Sequence, residues 1–258
     1  MDQSGTPRAA GGRQGRGASI VDALVSLVAA LTQDPHRIDD HVDIAEEGRP
    51  VGGRREPVEV RFPALGQLSG DWGGGQHLGK LALYHAVRGE DGRGPATALT
   101  SAVAVHFGQS TVEQVSEAIH FGDLRDEAVY TALSPVLFAV AAAGDAVATR
   151  VVRKQADEIL ALHRVVITRL SLREVRHAVV LGGGVLRARH PMLHDAVLAG
   201  IREAAPLAEV TVVADPPVAG AALLALDTLG RRGTALEARL REALRRPPVA
   251  AAVSSAAA

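Results

Sequence analysis

Three consecutive glycines, Gly182, Gly183 and Gly184, end the apolar run "HAVVL" and open into "VLRARHP". Glycines at the end of a strand do one of two things. They turn the chain through backbone angles that side chains resist, or they leave bare backbone against which a ligand can lie. "GGGVL" is neither the dinucleotide pattern with its third glycine three residues on nor a phosphate loop ending in Gly-Lys-Ser/Thr. Tight turn and ligand contact therefore both stand as readings. His190 and His194, four residues apart, would put two imidazoles on one helix face, but no Glu completes a zinc-protease motif and the pair reads as a solvated helix start. Asp39, Asp40, His41 and Asp43 have the residue types of a cation site, yet they lie in a poorly patterned stretch and read as solvated loop. The serines lack any Gly-x-Ser-x-Gly context, which leaves a hydrolase reading without support. The absence of cysteine excludes disulfides, thiol catalysis and thiolate metal sites, and fits a reducing cytoplasm, the location expected here.

These residues need a scaffold, and the composition supplies one. With 258 residues and 47% hydrophobic content the chain can bury one large or two ordinary cores. The net charge of -1 offers no basic excess, so neither nucleic acid nor a membrane is an expected partner. Arginine outnumbers lysine 26 to 2, a ratio that reads as coding bias rather than as a binding surface. The apolar stretch 20–31 contains Asp22 and is shorter than the roughly 20 residues a bilayer requires. Arginines precede it, but the charge and the missing small-residue cleavage pattern count against a secretory signal.

Residues 1–18, made of Gly, Arg and polar residues, read as a disordered tail, and 246–258 as a frayed terminus. Residues 19–57 form a separate weakly patterned segment in which 19–32 fits one amphipathic helix. From 58 to 245 the signals sharpen. "VEVRF" (58–62) alternates as a strand does, and the glycine-dense "SGDWGGGQHLGK" leads into a helix over 76–88. An Ala-rich helix ends at Phe107 and Gly108. Ser110 and Glu113 then have capping-box spacing. After Gly144 an apolar stripe through Val147, Val151, Ile159, Leu162, Val166 and Leu170 predicts one long helix. The last third reads strand (177–183), helix from Pro191, strand (209–215) and helix after Pro217, which implies a parallel or mixed sheet.

Three stretches, "RFPALGQLSGDWGGGQHLGKLAL" (61–83), "AVVLGGGVL" (178–186) and "ADPPVAGAALLALD" (214–227), taken in order resemble the second lobe of the N-acetylglucosamine kinase-like proteins in the BadF/BadG/BcrA/BcrD ATPase family. Residues 90–108 and 141–159 are also similar to family segments, so the resemblance covers about 59–230. It implies an α/β fold, namely the second lobe of the actin-like, sugar-kinase ATPase architecture with a ribonuclease H-like sheet flanked by helices. It implies ATP with Mg as cofactors and an amino sugar as the acceptor of a phosphoryl group. By position, Gly182, Gly183 and Gly184 would lie against the adenosine, where a side chain would take space needed by purine and ribose. Gly70 and Asp71 would lie by the sugar, since a carboxylate accepts from two hydroxyls at once; an Asx turn or a cap on the 76–88 helix is the alternative for Asp71. The family's first lobe carries an Asp-Gly-Gly-Gly-Thr hairpin for the β and γ phosphates and the catalytic base, and nothing in 1–58 has that form. Three expectations follow: a kinase whose first lobe comes from another chain, a module that binds sugar or nucleotide without turnover, and a truncated product that hides its cleft face by self-association, for example as a homodimer.

Overall fold

The computed structural model describes residues 28–30, 60–63, 65–122, 128–213, 217–230 and 235–245. They form a mostly helical α/β structure around a small mixed sheet. Strand β1 (Val28–Ala30) pairs antiparallel with β2 (His177–Leu181), which pairs in parallel with β3 (Ala208–Val212), giving the order β1-β2-β3. Val179 of β2 lies opposite Ala29 on one side and Val210 on the other. The parallel ladder continues one residue further, where Val213 N–H donates to the Leu181 carbonyl at 2.9 Å.

The helices are α1 (Gly75–Glu90), α2 (Leu99–His106), α3 (Val112–Phe121), α4 (Ala128–Ala142), α5 (Ala146–Arg169), the single turn α6 (Gly184–Arg187), α7 (Pro191–Ala204), α8 (Pro217–Thr228) and α9 (Ala235–Arg245). Helix α5 is the central bar, packed on α4 on one side and on α7 on the other. Its start is fixed by Asp145, whose Oδ1 accepts from the backbone N–H groups of Val147 and Ala148 at 2.9 and 2.8 Å. The other oxygen accepts from Ala98 N–H at 2.8 Å, tying the head of α5 to the start of α2. Burial alone would push the Asp145 carboxyl up, but these hydrogen bonds to its charged form outweigh that and hold it below its ordinary value.

The main core joins Leu78, Leu99, Leu133, Leu137, Ile159, Leu181, Leu193 and Ile201, all fully buried. Each such side chain contributes about 2 kcal/mol of burial. A smaller cluster of Val166, Ile167, Leu172 and Ala205, with Val60 packed against it, closes the far end of α5. Among the described residues no single helix is long and apolar enough to cross a membrane. Helices α4 and α5 meet that test only together, across a bend of 112°, and the apolar side chains of both fill the core.

The structure corrects several expectations. Residues 28–30, read as part of a helix over 19–32, are a strand, because pairing with β2 overrides a local helical pattern. Residues 60–62 of the alternating "VEVRF" stretch form no strand. The cap of α3 is Thr111, whose hydroxyl accepts from Gln114 N–H at 3.2 Å; the Gln114 side chain accepts from Ser110 N–H at 3.0 Å rather than from the cap residue, so the Ser110–Glu113 capping box expected from the spacing does not form. β2 is buried fully at alternate residues and half-buried at the others, rather than covered equally on both faces. Helix α4 was not anticipated. The segments 1–18 and 246–258 and the cluster Asp39, Asp40, His41 and Asp43 lie outside the described residues.

Candidate functional site

The first candidate stretch begins with a 3-10 turn, Gly66–Ser69, closed by Gly70 at φ 81°, a left-handed angle that favours glycine. Asp71 follows and folds back on that turn. Its Oδ2 accepts from Gly66 N–H at 3.2 Å and lies 2.8 Å from the Ser69 hydroxyl, which alternates between this carboxylate and the Gly66 carbonyl at 3.0 Å. Asp71 does not cap the next helix. The N-cap of α1 is Gly74, without a side-chain hydrogen bond, and Asp71 Oδ1 carries no hydrogen bond among the described residues. Asp71 is thus held through one carboxylate oxygen, and the residue is half-buried.

The first glycine after Asp71 is demanded by both packing and backbone angle. Gly73 has φ +107°, and a Cβ there would lie 2.0 Å from Gln155 Oε1. That same oxygen accepts from Gly74 N–H at 3.2 Å. Gln155 is a polar residue inside the apolar stripe of α5, one helical turn after Val151 and one before Ile159, and it is 1% exposed. A turn lacking its own side-chain cap is in this way held from across the core. Trp72 lies over the first turn of α1, its ring 4.9 Å from that of His77. Partial burial, and then nearby Lys80, lower the His77 pKa and keep the imidazole in its neutral form.

The second stretch has the opposite character. β2 runs straight into Gly182, and Gly183 (φ 94°, ψ 158°) caps the single-turn α6 with angles that suit glycine. At Gly182 and Gly184 the backbone angles are ordinary, and an added Cβ would meet nothing within 4 Å. Neither conformation nor packing calls for glycine at these two positions. Six residues beyond Gly184, His190 caps α7 and stacks on Phe138 of α4, with centroids 4.1 Å apart and planes within 3°. Burial lowers its pKa, so the ring is a neutral flat surface rather than a cation. His194, one turn into α7, has Nδ1 buried without a partner; the pair is half-buried, not the solvated helix start expected from sequence.

No hydrogen bond or ring contact among the described residues joins Gly70–Asp71 to Gly182–Gly184. Helix α5 links them indirectly. Gln155 touches Gly73 and Gly74, and Leu160, about 7.5 Å further along the axis, packs against Gly200 of α7, where a Cβ would lie 2.4 Å from its Cδ1. Gln155 and the Phe138–His190 stack escaped the sequence reading. The signal for Gln155 was a lone amide within an apolar stripe; the stack, which joins distant helices, had none. Among the described residues no three His, Asp or Glu side chains group together as metal ligands.

No protein-family model matches the sequence. The chain is 30% identical over 179 residues to an N-acetyl-D-glucosamine kinase of Dictyostelium discoideum, an alignment that takes in 69% of this chain and 56% of that protein. The chain therefore spans about half the length of the curated relative it matches, and its similarity points to sugar kinases.

Proposed function

We propose that the chain is the nucleotide- and sugar-binding second lobe of an N-acetylglucosamine-type sugar kinase, with an actin-like ATPase architecture. The observation that carries this reading is the pair Gly182 and Gly184. Glycine stands there with no demand from backbone angle or neighbour, at the carboxyl end of a parallel strand where α/β sheets bind ligands. A purine and its ribose would lie flat on this backbone, in space that a Cβ would take. Asp71 would accept hydrogen bonds from sugar hydroxyls through its unengaged oxygen, with its orientation set by Ser69 and Gly66. ATP would bring Mg, which neutralises charge on the phosphates during transfer. The catalytic base and the phosphate-holding hairpin belong to a first lobe, and residues 1–58 show no Asp-Gly-Gly-Gly-Thr sequence to form one. Turnover on this reading requires a first lobe on further chain or on a separate chain; without it the protein binds and does not react.

Two assays together test this. Calorimetry with ADP and with N-acetylglucosamine should give saturable heat for at least one of them, and a coupled assay for ADP release should show background rates with the isolated chain. Absence of heat for both ligands rejects the assignment. Turnover well above background by the isolated chain would refute the division of labour between lobes.

A further inference from the structure

A second candidate binding feature lies on the outer face formed by α1, α3 and α4, apart from Gly70–Asp71 and Gly182–Gly184. An open groove of about 390 Å³ is lined by Lys80, Leu83, Tyr84, Val87, Arg88, Arg93, Ser116 and Tyr130. Lys80, Tyr84 and Arg88 follow one another at i, i+4 and i+8, a single row along α1 about 12 Å long. Leu83 and Val87 form an apolar floor beside it. The Lys80 ammonium is 5.1 Å from the Tyr130 ring centroid, and the Arg88 guanidinium carbon 5.4 Å from that of Tyr84. Both cations are thus held over rings at the groove wall rather than extended into water.

The charge balance is uneven. Three cationic side chains line the groove, and one carboxylate, Asp91, answers them by pairing with Arg93 at 2.6 Å. Among the described residues no carboxylate is within ion-pair distance of Lys80 or Arg88. Glu90, the nearest acid along the chain, is engaged elsewhere: its two oxygens accept from Val112 and Glu113 N–H at 2.9 Å each and cap α3. Arg88 also donates to the Arg93 carbonyl, which brings the two arginine-bearing segments together at one end of the groove. Arg93 is engaged by Asp91, so Arg88, which meets no carboxylate among the described residues, is the guanidinium left for a phosphate at this end; with the apolar floor beside it the groove matches a phosphate attached to a small ring, and the volume suits a ligand of monosaccharide size.

We infer that this groove binds a small phosphorylated polyol or sugar, with the phosphate at the Arg88–Arg93 end and the ring over Leu83 and Val87. The inference does not depend on the kinase reading. Its test is calorimetric titration of the full chain with glucose 6-phosphate, with inorganic phosphate and with glucose. Saturable binding of the phosphate ester, competition by inorganic phosphate and no binding of glucose are expected. Arg88→Gln should weaken binding about tenfold and Lys80→Met, at the far end of the row from the phosphate, about threefold, both with unchanged melting temperature. Since Arg88 also braces the 91–94 turn, Lys80→Met supplies the readout if Arg88→Gln is poorly folded. N-acetylglucosamine should not displace the ester; displacement would assign the ester to the other site and overturn the inference. No saturable binding up to about 5 mM, or equal binding by wild type and both groove variants, overturns it as well.

Discussion

Gly79 and Gly182 lie in opposite surroundings. A Cβ on Gly79 would sit 1.6 Å from the Tyr130 carbonyl oxygen, because α1 and α4 approach with backbone against backbone; a Cβ on Gly182 would meet nothing within 4 Å. At the first position glycine is a packing device, and the fold itself explains it. At the second the fold does not use the missing side chain, which is the condition the proposed nucleotide contact requires. The two glycine-dense stretches "SGDWGGG" and "LGGGV" look alike in sequence and separate only when neighbours are known.

The comparison can be broken by substitution. Gly79→Ala should have the largest effect, a loss of about 3 kcal/mol or more, because the obstacle is backbone and the whole of α1 must move away from α4. Urea denaturation measures it. A change under about 1 kcal/mol would show that the α1–α4 contact is loose.

A buried histidine gives the next largest effect, this time as a function of pH. His163 of α5 is 1% exposed, with both ring nitrogens unpartnered, and burial, then His177 and Arg164, lower its pKa to about 4. The unfolded chain takes up this proton near pH 6.5 and the folded chain only near pH 4. Stability should therefore be fully present above about pH 6.5 and fall by up to about 3 kcal/mol as pH drops from there to about 4. Comparing urea midpoints at pH 7 and pH 5 measures this, and His163→Leu should flatten the dependence. An unchanged slope in that variant would assign the pH effect to other groups.

Gly183→Ala should cost about 1–2 kcal/mol, since its backbone angles, φ 94° and ψ 158°, resist a side chain. Gly182→Ala and Gly184→Ala should change stability by less than about 0.5 kcal/mol. Measured together by thermal denaturation, these three sharpen the contrast within one tripeptide; equal losses at all of them would show that the loop is packed rather than open.

Much of this was legible in the sequence where the signal is local. The stripe from Val147 to Val166 announced α5, Pro191 opened α7, and strand-helix alternation announced the parallel pairing of β2 and β3. Helix α4 is apolar on all sides and carries Pro135, so it shows no clean period and contains a residue that normally stops helices. β1 depends on a partner some 150 residues away in sequence, a relation that no local window shows. At the site, the strand-end position of Gly182–Gly184 was readable, whereas the brace from Gln155 to Gly74 required the packed helix.

The central claim is that the backbone at Gly182–Gly184 is left bare for a nucleotide. Calorimetric titration of ADP into wild type and Gly182→Val, with matching melting temperatures confirmed for both, tests it most directly. The account predicts saturable binding to wild type and a loss of at least about tenfold in the variant, because the valine side chain would stand where the purine and ribose lie. Equal affinity in the two proteins, or no binding to wild type, would contradict it.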